Sequence, residues 1–134
     1  MAILRDFTYH APKTMPEALR LLGDSERPML LAGGTFVLNY LKKAARYPTD
    51  LIGLKEIKPL KGIGLSKEGL SIGAMTTISE LIDSRLIAKH FPSLSEACRK
   101  MATTPIRNMA TLGGNLSSRF FWVDLPTVLI ALRA

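Results

Sequence analysis

The first part of the chain alternates between short strand-like runs and longer stretches that are apolar on one side only. The short runs lie at residues 7–10, 28–32 and 50–54 and have the length of β-strands. The first of them is expected to form an edge strand. The stretch that follows it opens with a capping-box pattern, Thr14 and then Glu17, so a helix is predicted there, and Gly23 is expected to end it.

A second helix is predicted between the last two runs. Thr35 is its expected N-cap, and Val37, Leu38 and Leu41 form the side expected to face inward. Strands that alternate with helices in this way favour parallel pairing. The sequence therefore predicts a ligand site at the carboxyl end of the strand at residues 28–32.

The pattern changes after residue 56, where short elements without strict alternation follow one another. The predicted elements are a hairpin of residues 62–65 and 70–73, a helix opened by a Thr77–Glu80 capping box, helices at 84–90 and 93–101, and an apolar helix after Asp124. Residues 104–107, which include Pro105, are expected to interrupt helical order.

Together the two parts predict an α+β (mixed α/β) fold. A small α/β subdomain at residues 1–56 is expected to precede a mixed β-sheet subdomain with helices at residues 57–134. The final apolar helix stops at Ala134 without a glycine cap or a polar tail. The second subdomain is therefore expected to be incomplete, and the exposed apolar helix leaves homo-oligomer formation open.

The composition is that of a folded protein with excess positive charge. Hydrophobic residues make up 47% of the 134 residues and charged residues 22%, which excludes wholesale disorder. The net charge of +7 suits nucleic acid, an acidic partner or a phosphorylated ligand, but no nucleic-acid-binding motif accompanies it, so nucleic acid ranks low. A single cysteine, Cys98, excludes an intramolecular disulfide and a cysteine-built metal site. No apolar run reaches membrane-spanning length, and a cytoplasmic location is expected.

Two glycine pairs carry the strongest chemical signal. They occur in the motifs Leu31-Ala32-Gly33-Gly34-Thr35 and Thr111-Leu112-Gly113-Gly114-Asn115. Glycine permits positive φ and has no side chain, so backbone N–H groups can approach an anion such as phosphate. Either pair alone is more typical of a tight turn or loop. Two such motifs in one small domain favour a ligand with more than one polar segment, such as a dinucleotide-like cofactor.

Several other residues have competing structural interpretations. Asp124 caps the final helix, contacts a ligand, or does both. The aromatic cluster Phe120–Trp122 favours core or subunit-interface packing over base or flavin stacking. His10 and His90 lack metal-ligand spacing, and Cys98 is expected to be a small buried hydrophobic residue.

The motifs, their order and their spacing resemble the flavin-binding domain, or medium subunit, of molybdenum hydroxylases of the carbon-monoxide and xanthine dehydrogenase type. The matching segments are Phe7-Thr8-Tyr9, Glu17-Ala18-Leu19, Leu31 to Thr35, Leu51-Ile52, Ile72-Gly73-Ala74, Ile106-Arg107-Asn108, Ala110 to Asn115, and Asp124 with Pro126. They run through the whole chain, and the ordered set is far more specific than any one of them.

The resemblance implies that FAD lies in a cleft between the two subdomains, with its pyrophosphate held by both glycine motifs. The implied contacts are backbone N–H groups and one hydroxyl from Leu31, Ala32, Gly33, Gly34 and Thr35, with Thr111, Gly113, Gly114 and Asn115 on the other side. Ser117 and Asp124 match positions near the adenosine half, where a carboxylate suits ribose hydroxyls. No residue is implied as a catalytic acid or base.

The resemblance also implies a function and partners. The chain would be the FAD-binding electron-transfer subunit of a molybdopterin-containing oxidoreductase, passing electrons from iron–sulfur clusters through the flavin to an acceptor. Its implied partners are an iron–sulfur subunit and a molybdopterin-binding subunit, and the chain alone is not expected to be a competent enzyme. The alternative is a truncated, non-catalytic binding or assembly module that retains the fold.

Overall fold

The computed structural model describes residues 6–43, 47–118 and 123–134. Its fold is mixed α/β, as predicted. The chain divides into two compact units, Met1–Pro59 and Leu60–Ala134, which we call unit 1 and unit 2. The aromatic cluster Phe120–Trp122, for which packing was predicted, lies outside the described residues.

Unit 1 is built on three parallel strands, β1 (Thr8–His10), β2 (Pro28–Leu31) and β3 (Asp50–Gly53). Their order is β1-β3-β2, so β1 is an edge strand and β3 is central, and the predicted parallel pairing of β2 with β3 is confirmed. Leu51 and Ile52 on opposite faces of β3 are both buried, which is usual for a parallel sheet covered on two sides. All three strands end at the same edge.

The first helix, α1 (Met15–Asp24), begins as the capping pattern predicts, with one difference. The Thr14 hydroxyl accepts a hydrogen bond from the Glu17 N–H at 3.3 Å. The Glu17 carboxylate, however, accepts from the Lys13 N–H at 2.9 Å, one residue before the cap. The acidic side chain thus pairs with a backbone donor just outside the box, while Thr14 still caps the helix.

The predicted end of α1 at Gly23 is wrong. The helix continues through Asp24, and Gly23 lies inside its last turn. Ser25 then terminates it with extended backbone, donating from both its N–H (3.2 Å) and its hydroxyl (2.8 Å) to the Leu21 carbonyl. Because Ser25 satisfies that carbonyl, no glycine in left-handed conformation is required to end the helix.

The second helix, α2, spans Val37–Lys43 and buries Leu41. Thr35 lies two residues before it, and its hydroxyl makes no hydrogen bond within the described part of the chain, so the predicted N-cap is wrong. The first turn instead closes on the Gly34 carbonyl, which accepts from the Leu38 N–H at 3.2 Å. Leu38, predicted to face inward, has 46% of its surface exposed.

Unit 2 begins with the predicted hairpin, β4 (Ile63–Ser66) paired antiparallel with β5 (Gly69–Ile72), after a short 3₁₀ turn at Lys58–Leu60. The helices described in this unit are α3 (Ile78–Asp83), α4 (Arg85–His90), α5 (Pro92–Lys100), α6 (Thr104–Arg107), α7 (Leu112–Ser117) and α8 (Leu125–Ala131). The predicted Thr77–Glu80 capping box is confirmed with both reciprocal hydrogen bonds.

The predicted helical break at residues 104–107 is wrong, because these residues form the short helix α6. Pro105 occupies the first turn, where its missing N–H would have no intrahelical partner anyway. Every helix in the described residues is short, and none has the length and apolar character required to cross a membrane.

Packed helices form the core of unit 2. Its buried residues are Ile78, Leu81, Ile87, Leu94, Cys98, Leu112 and Leu125. Cys98 is fully buried, which confirms its predicted role as a small hydrophobic residue, and burial raises the pKa of its thiol to about 11. Leu112 and Leu125 anchor α7 and α8, the elements that carry the second glycine motif and Asp124, against this core.

Candidate functional site

The first glycine motif directly follows β2 at the carboxyl edge of the unit 1 sheet. Gly34 is buried and has φ +76°, a left-handed conformation that side chains other than glycine rarely adopt. A Cβ at this position would lie 3.4 Å from Leu38 Cδ1 and 3.5 Å from Leu31 Cδ1. The positive φ at position 34 therefore requires glycine more strongly than the room for a Cβ does.

The backbone N–H groups of this motif are available to a ligand. Within the described residues, the amides of Ala32, Gly33, Gly34 and Thr35 donate to no protein acceptor. The carbonyls nearby are used, since Leu31 accepts from the Leu54 N–H at 2.9 Å. Backbone donors without partners are unusual when partly buried, and consecutive donors of this kind suit an anion.

The second glycine motif is part of a helix rather than a loop. Thr111 is the N-cap of α7, and its hydroxyl accepts from the Gly114 N–H at 3.1 Å. Gly113 packs against Ala74, to whose carbonyl its N–H donates at 2.8 Å. A Cβ on Gly113 would lie 2.8 Å from both the Cβ and the carbonyl oxygen of Ala74. Gly113 is therefore required for close packing of α7 on the preceding segment.

Backbone donors of the second motif are consumed within the protein. Leu112 donates to the Thr76 carbonyl at 2.9 Å and Asn115 donates to the Thr111 carbonyl at 2.9 Å, in addition to the bonds of the two glycines. The Ile78 N–H returns a bond to the Ala110 carbonyl at 2.9 Å. The two glycine pairs thus differ: the first leaves amides open, and the second uses them to fix α7 in place.

Asn115 presents a polar group that the rest of the chain does not satisfy. Its side-chain Oδ1 is buried and has no hydrogen-bond partner within the described residues. A buried polar atom without a partner costs about 1–3 kcal/mol, and such atoms call for a specific explanation. An acceptor oxygen of this kind in the second motif suits a hydrogen-bond donor of a ligand.

The remaining predicted residues follow in the same unit. Ser117 is exposed at the last turn of α7. Asp124 occupies the N-cap position of α8, but its side chain makes no capping hydrogen bond and is exposed. Of the two interpretations of Asp124, side-chain capping is therefore wrong.

The structure groups the predicted residues by unit. The set from Leu31 to Thr35 lies together in unit 1, and the set from Thr111 to Asn115, with Ser117 and Asp124, lies in unit 2. The first set offers backbone donors, and the second offers side chains on helix ends.

Sequence reasoning missed Thr76, which connects two elements of unit 2. Its buried hydroxyl accepts from the Gly62 N–H at 3.2 Å and donates to the Gly62 carbonyl at 3.1 Å. Its own carbonyl receives the Leu112 N–H described above. Thr76 therefore ties the residue before the hairpin to the second glycine motif. A buried threonine has no local sequence signature that would have revealed this role.

A hydrogen-bonded histidine–aspartate pair lies on the unit 1 sheet. His10 Nε2 donates to Asp50 Oδ1 at 2.7 Å between β1 and β3. This hydrogen bond, with smaller contributions from Thr49 and Ser25, lowers the pKa of Asp50 below its ordinary value. Within the described residues no group of three metal-ligating side chains occurs, so this pair is interpreted as structural.

Comparison with known families gives a match over nearly the whole chain. The family described as the FAD binding domain in molybdopterin dehydrogenase matches residues 5–134. The matched region includes both glycine motifs, Ser117 and Asp124.

Curated relatives are longer than this chain. It is 37% identical over 129 residues to the carbon monoxide dehydrogenase medium chain of Hydrogenophaga pseudoflava, covering 96% of this chain and 45% of that protein. It is 37% identical over 121 residues to the xanthine dehydrogenase FAD-binding subunit of Escherichia coli O157:H7, covering 90% and 41%. The chain thus spans less than half the length of these relatives.

Solved structures share the fold. A carbon monoxide dehydrogenase from Hydrogenophaga pseudoflava that lacks the Mo-pyranopterin moiety aligns with a TM-score of 0.92 and 37% identity, covering 96% of this chain and 45% of that chain. Quinoline 2-oxidoreductase from Pseudomonas putida 86 aligns with a TM-score of 0.90 and 30% identity, covering 95% and 45%.

Proposed function

The chain belongs to the family of FAD-binding domains of molybdopterin dehydrogenases, and from this premise we propose that it binds FAD through its two glycine motifs. The observation that carries the proposal is the row of open amides from Ala32 to Thr35 at the carboxyl end of β2. The carboxyl edge of a parallel sheet is the usual ligand edge of such folds. A pyrophosphate has many acceptor oxygens and no donor at neutral pH, so it matches backbone N–H groups.

The conformation of Gly34 supports this role. With φ at +76° it turns the chain sharply after β2, and such a turn points successive N–H groups into a common concavity. Leu31, Ala32, Gly33 and Gly34 thus contribute backbone to the phosphate site, and Thr35 adds its hydroxyl, which no protein group in the described residues engages.

The second motif contributes to the same cofactor in a different way. Because the amides of Gly113 and Gly114 already donate to protein acceptors, these glycines hold α7 close to Ala74 and thereby position Thr111 and Asn115. The buried Oδ1 of Asn115 is the group that a bound ligand or its water would satisfy. Ser117 and the exposed carboxylate of Asp124 are assigned to the ribose hydroxyls of the adenosine half.

The family supports a wider function. FAD supplies one- and two-electron chemistry when bound, and the residues named above bind and orient it. We infer that the chain serves electron transfer from an iron–sulfur subunit to an acceptor, within a complex that also contains a molybdopterin-binding subunit. No residue of this chain is assigned as a catalytic acid or base.

A second candidate function rests on the second glycine motif. The backbone amides of Leu112 to Asn115 donate to protein acceptors and leave no backbone donor there for a phosphate. A binding or assembly module that keeps the fold without stable FAD binding is therefore the alternative. It predicts a folded chain that associates with partner subunits and retains no flavin.

FAD titration of the purified chain separates the two functions, with binding followed by quenching of flavin fluorescence. We expect saturable binding by the wild type and binding about tenfold weaker in Gly34→Ala, since an alanine at this φ costs about 1–3 kcal/mol. Gly64→Ala is the matched control, because a Cβ at Gly64 meets nothing within 4 Å and its φ is ordinary. Circular dichroism checks that each variant is folded.

The outcomes are distinct. A folded wild type that binds no FAD refutes the proposal for this chain and supports the assembly module. If the wild type binds FAD and Gly34→Ala binds it with the same affinity, the first motif is not part of the site. Equal weakening by the Gly34 and Gly64 variants also counts against the proposed role of Gly34.

A further inference from the structure

Tyr9 lies across the sheet of unit 1 in a way that packing explains only in part. It belongs to the edge strand β1, and its side chain reaches over Gly53 at the end of the central strand β3. A Cβ on Gly53 would overlap the Tyr9 hydroxyl and lie 2.9 Å from the ring Cζ. The Tyr9 side chain thus occupies the space that a side chain at position 53 would need.

The position of Gly53 brings the hydroxyl to the carboxyl edge of the sheet. In the parallel register Gly53 is the partner of Leu31, the last residue of β2. Paired residues project to the same face, and neighbouring strands lie about 4.8 Å apart. Leu31 in turn lies within van der Waals reach of the Cβ position of Gly34, at 3.5 Å. The Tyr9 hydroxyl and Leu31, the first residue of the first glycine motif, therefore lie on the same face of the sheet at its carboxyl edge.

The ring and the hydroxyl have different explanations. The ring covers Gly53 and shields β3. The hydroxyl has no hydrogen-bond partner within the described residues, and Tyr9 as a whole residue is 54% exposed. A phenylalanine would cover Gly53 equally well, so the hydroxyl is not accounted for by the fold. A phenol presents one donor at the carboxyl edge of the sheet, the same edge from which the amides of Ala32 to Thr35 follow β2.

We propose that Tyr9 is a further ligand-contacting residue of unit 1, whose hydroxyl donates a hydrogen bond to the phosphate-bearing part of the ligand held by the first glycine motif. This inference rests on the proposed function and extends it to a residue outside both glycine motifs. Tyr9 acts as a donor that adds to the backbone amides from the β1 side, so recognition spans all three strands of the sheet.

The test compares Tyr9→Phe with Tyr40→Phe in the full chain. Tyr40 lies on α2, is 41% exposed, and packs its ring 6.0 Å from that of Phe36, so it is a matched tyrosine of the same unit outside the proposed contact. The ligands are FAD, ADP and riboflavin. Loss of a hydrogen bond to a charged group weakens binding by about tenfold. We expect this weakening in Tyr9→Phe for FAD and ADP, and unchanged affinity for riboflavin, which lacks phosphate.

Thermal unfolding of the same variants gives the second measurement. Because the Tyr9 hydroxyl has no protein partner in the described residues, we expect Tyr9→Phe to unfold at the wild-type temperature. A clear drop in that temperature would indicate a structural role and overturn the inference. The inference would also be overturned if the wild type bound FAD and Tyr9→Phe bound it with the same affinity, or if Tyr40→Phe weakened binding as much as Tyr9→Phe. Both results would leave the proposed function in place. Failure of the wild type to bind FAD would instead overturn the proposed function.

Discussion

Substitution of Gly113 by alanine tests whether the second glycine motif is a packing device. Gly113 is helical and donates to the Ala74 carbonyl at 2.8 Å. An added Cβ would lie 2.8 Å from that same oxygen and from the Ala74 Cβ. Real Cβ atoms do not approach backbone oxygens so closely, so α7 must move away from Ala74 and lengthen this hydrogen bond.

The expected cost follows from three contributions. Overpacking of a well-packed contact costs about 1–3 kcal/mol, and the weakened hydrogen bond adds about 1 kcal/mol. Alanine regains about 1 kcal/mol over glycine in a helix. The free energy of unfolding should therefore fall by about 1–3 kcal/mol, and each kcal/mol lowers the melting temperature of a unit of this size by about 4–8 °C.

Gly23→Ala is the matched control for this substitution. Gly23 also lies in a helix, and a Cβ there meets nothing within 4 Å. Only the helix-propensity gain applies, so this variant should be more stable than the wild type by up to about 1 kcal/mol. Urea unfolding followed by far-ultraviolet circular dichroism measures both variants, and hydrogen exchange of the Gly113 amide reports the local contact directly.

Opposite signs for the two glycine-to-alanine substitutions are the essential result. If Gly113→Ala were as stable as the wild type and its amide were equally protected, α7 would not depend on close contact with Ala74. The second motif would then have to be explained by ligand binding alone.

Two further predictions concern titratable groups. The hydrogen bond from His10 lowers the pKa of Asp50, so the stabilisation by ionised Asp50 is complete above the ordinary aspartate pKa of about 3.9 and is lost as the pH falls through the lower folded value. Asp50→Asn should therefore melt below the wild type at pH 7, with the difference closing below about pH 4. A difference that grows in acid would contradict this. Burial raises the pKa of Cys98 to about 11, so at pH 8 about one thiol in a thousand is ionised; an aromatic disulfide reagent should react with it only after denaturation, and fast labelling of the folded chain would refute its burial.

Elements with a local signal were predictable from the sequence. The capping box at Thr77 and Glu80 and the hairpin flanking Lys67-Glu68 each depend on residues close in sequence, and both are confirmed. The parallel pairing of β2 with β3 follows from the order of strands and helix, which leaves few right-handed alternatives. Boundaries were less predictable, as the end of α1 at Ser25 instead of Gly23 illustrates.

Failures came where tertiary contacts override local preference. Glycine is a poor helix former, so Gly113 and Gly114 favoured a loop, yet both lie in α7. The contact with Ala74, distant in sequence, decides the conformation, and no periodicity reports it. The same holds for Thr76, whose two hydrogen bonds to Gly62 depend on a chain reversal that composition does not reveal.

The site shows a similar division. The sequence located the first glycine motif at the carboxyl end of a strand, because the apolar run of β2 leads directly into it. Which amides remain open depends on every acceptor nearby, so it emerged only from the folded chain. The common face and edge of Tyr9 and Leu31 could not be inferred from the sequence, because they depend on the strand register.

The two glycine pairs have opposite effects on their backbone amides. Gly33 and Gly34 free the backbone to face outward, since φ at Gly34 turns the chain away from protein acceptors. Gly113 removes a side chain so that its amide can face inward to Ala74. Phosphate oxygens require donors, and only the first arrangement leaves backbone donors available. On the proposed function, the first motif therefore acts on FAD through its backbone donors, and the second acts through the Asn115 side chain that its helix positions.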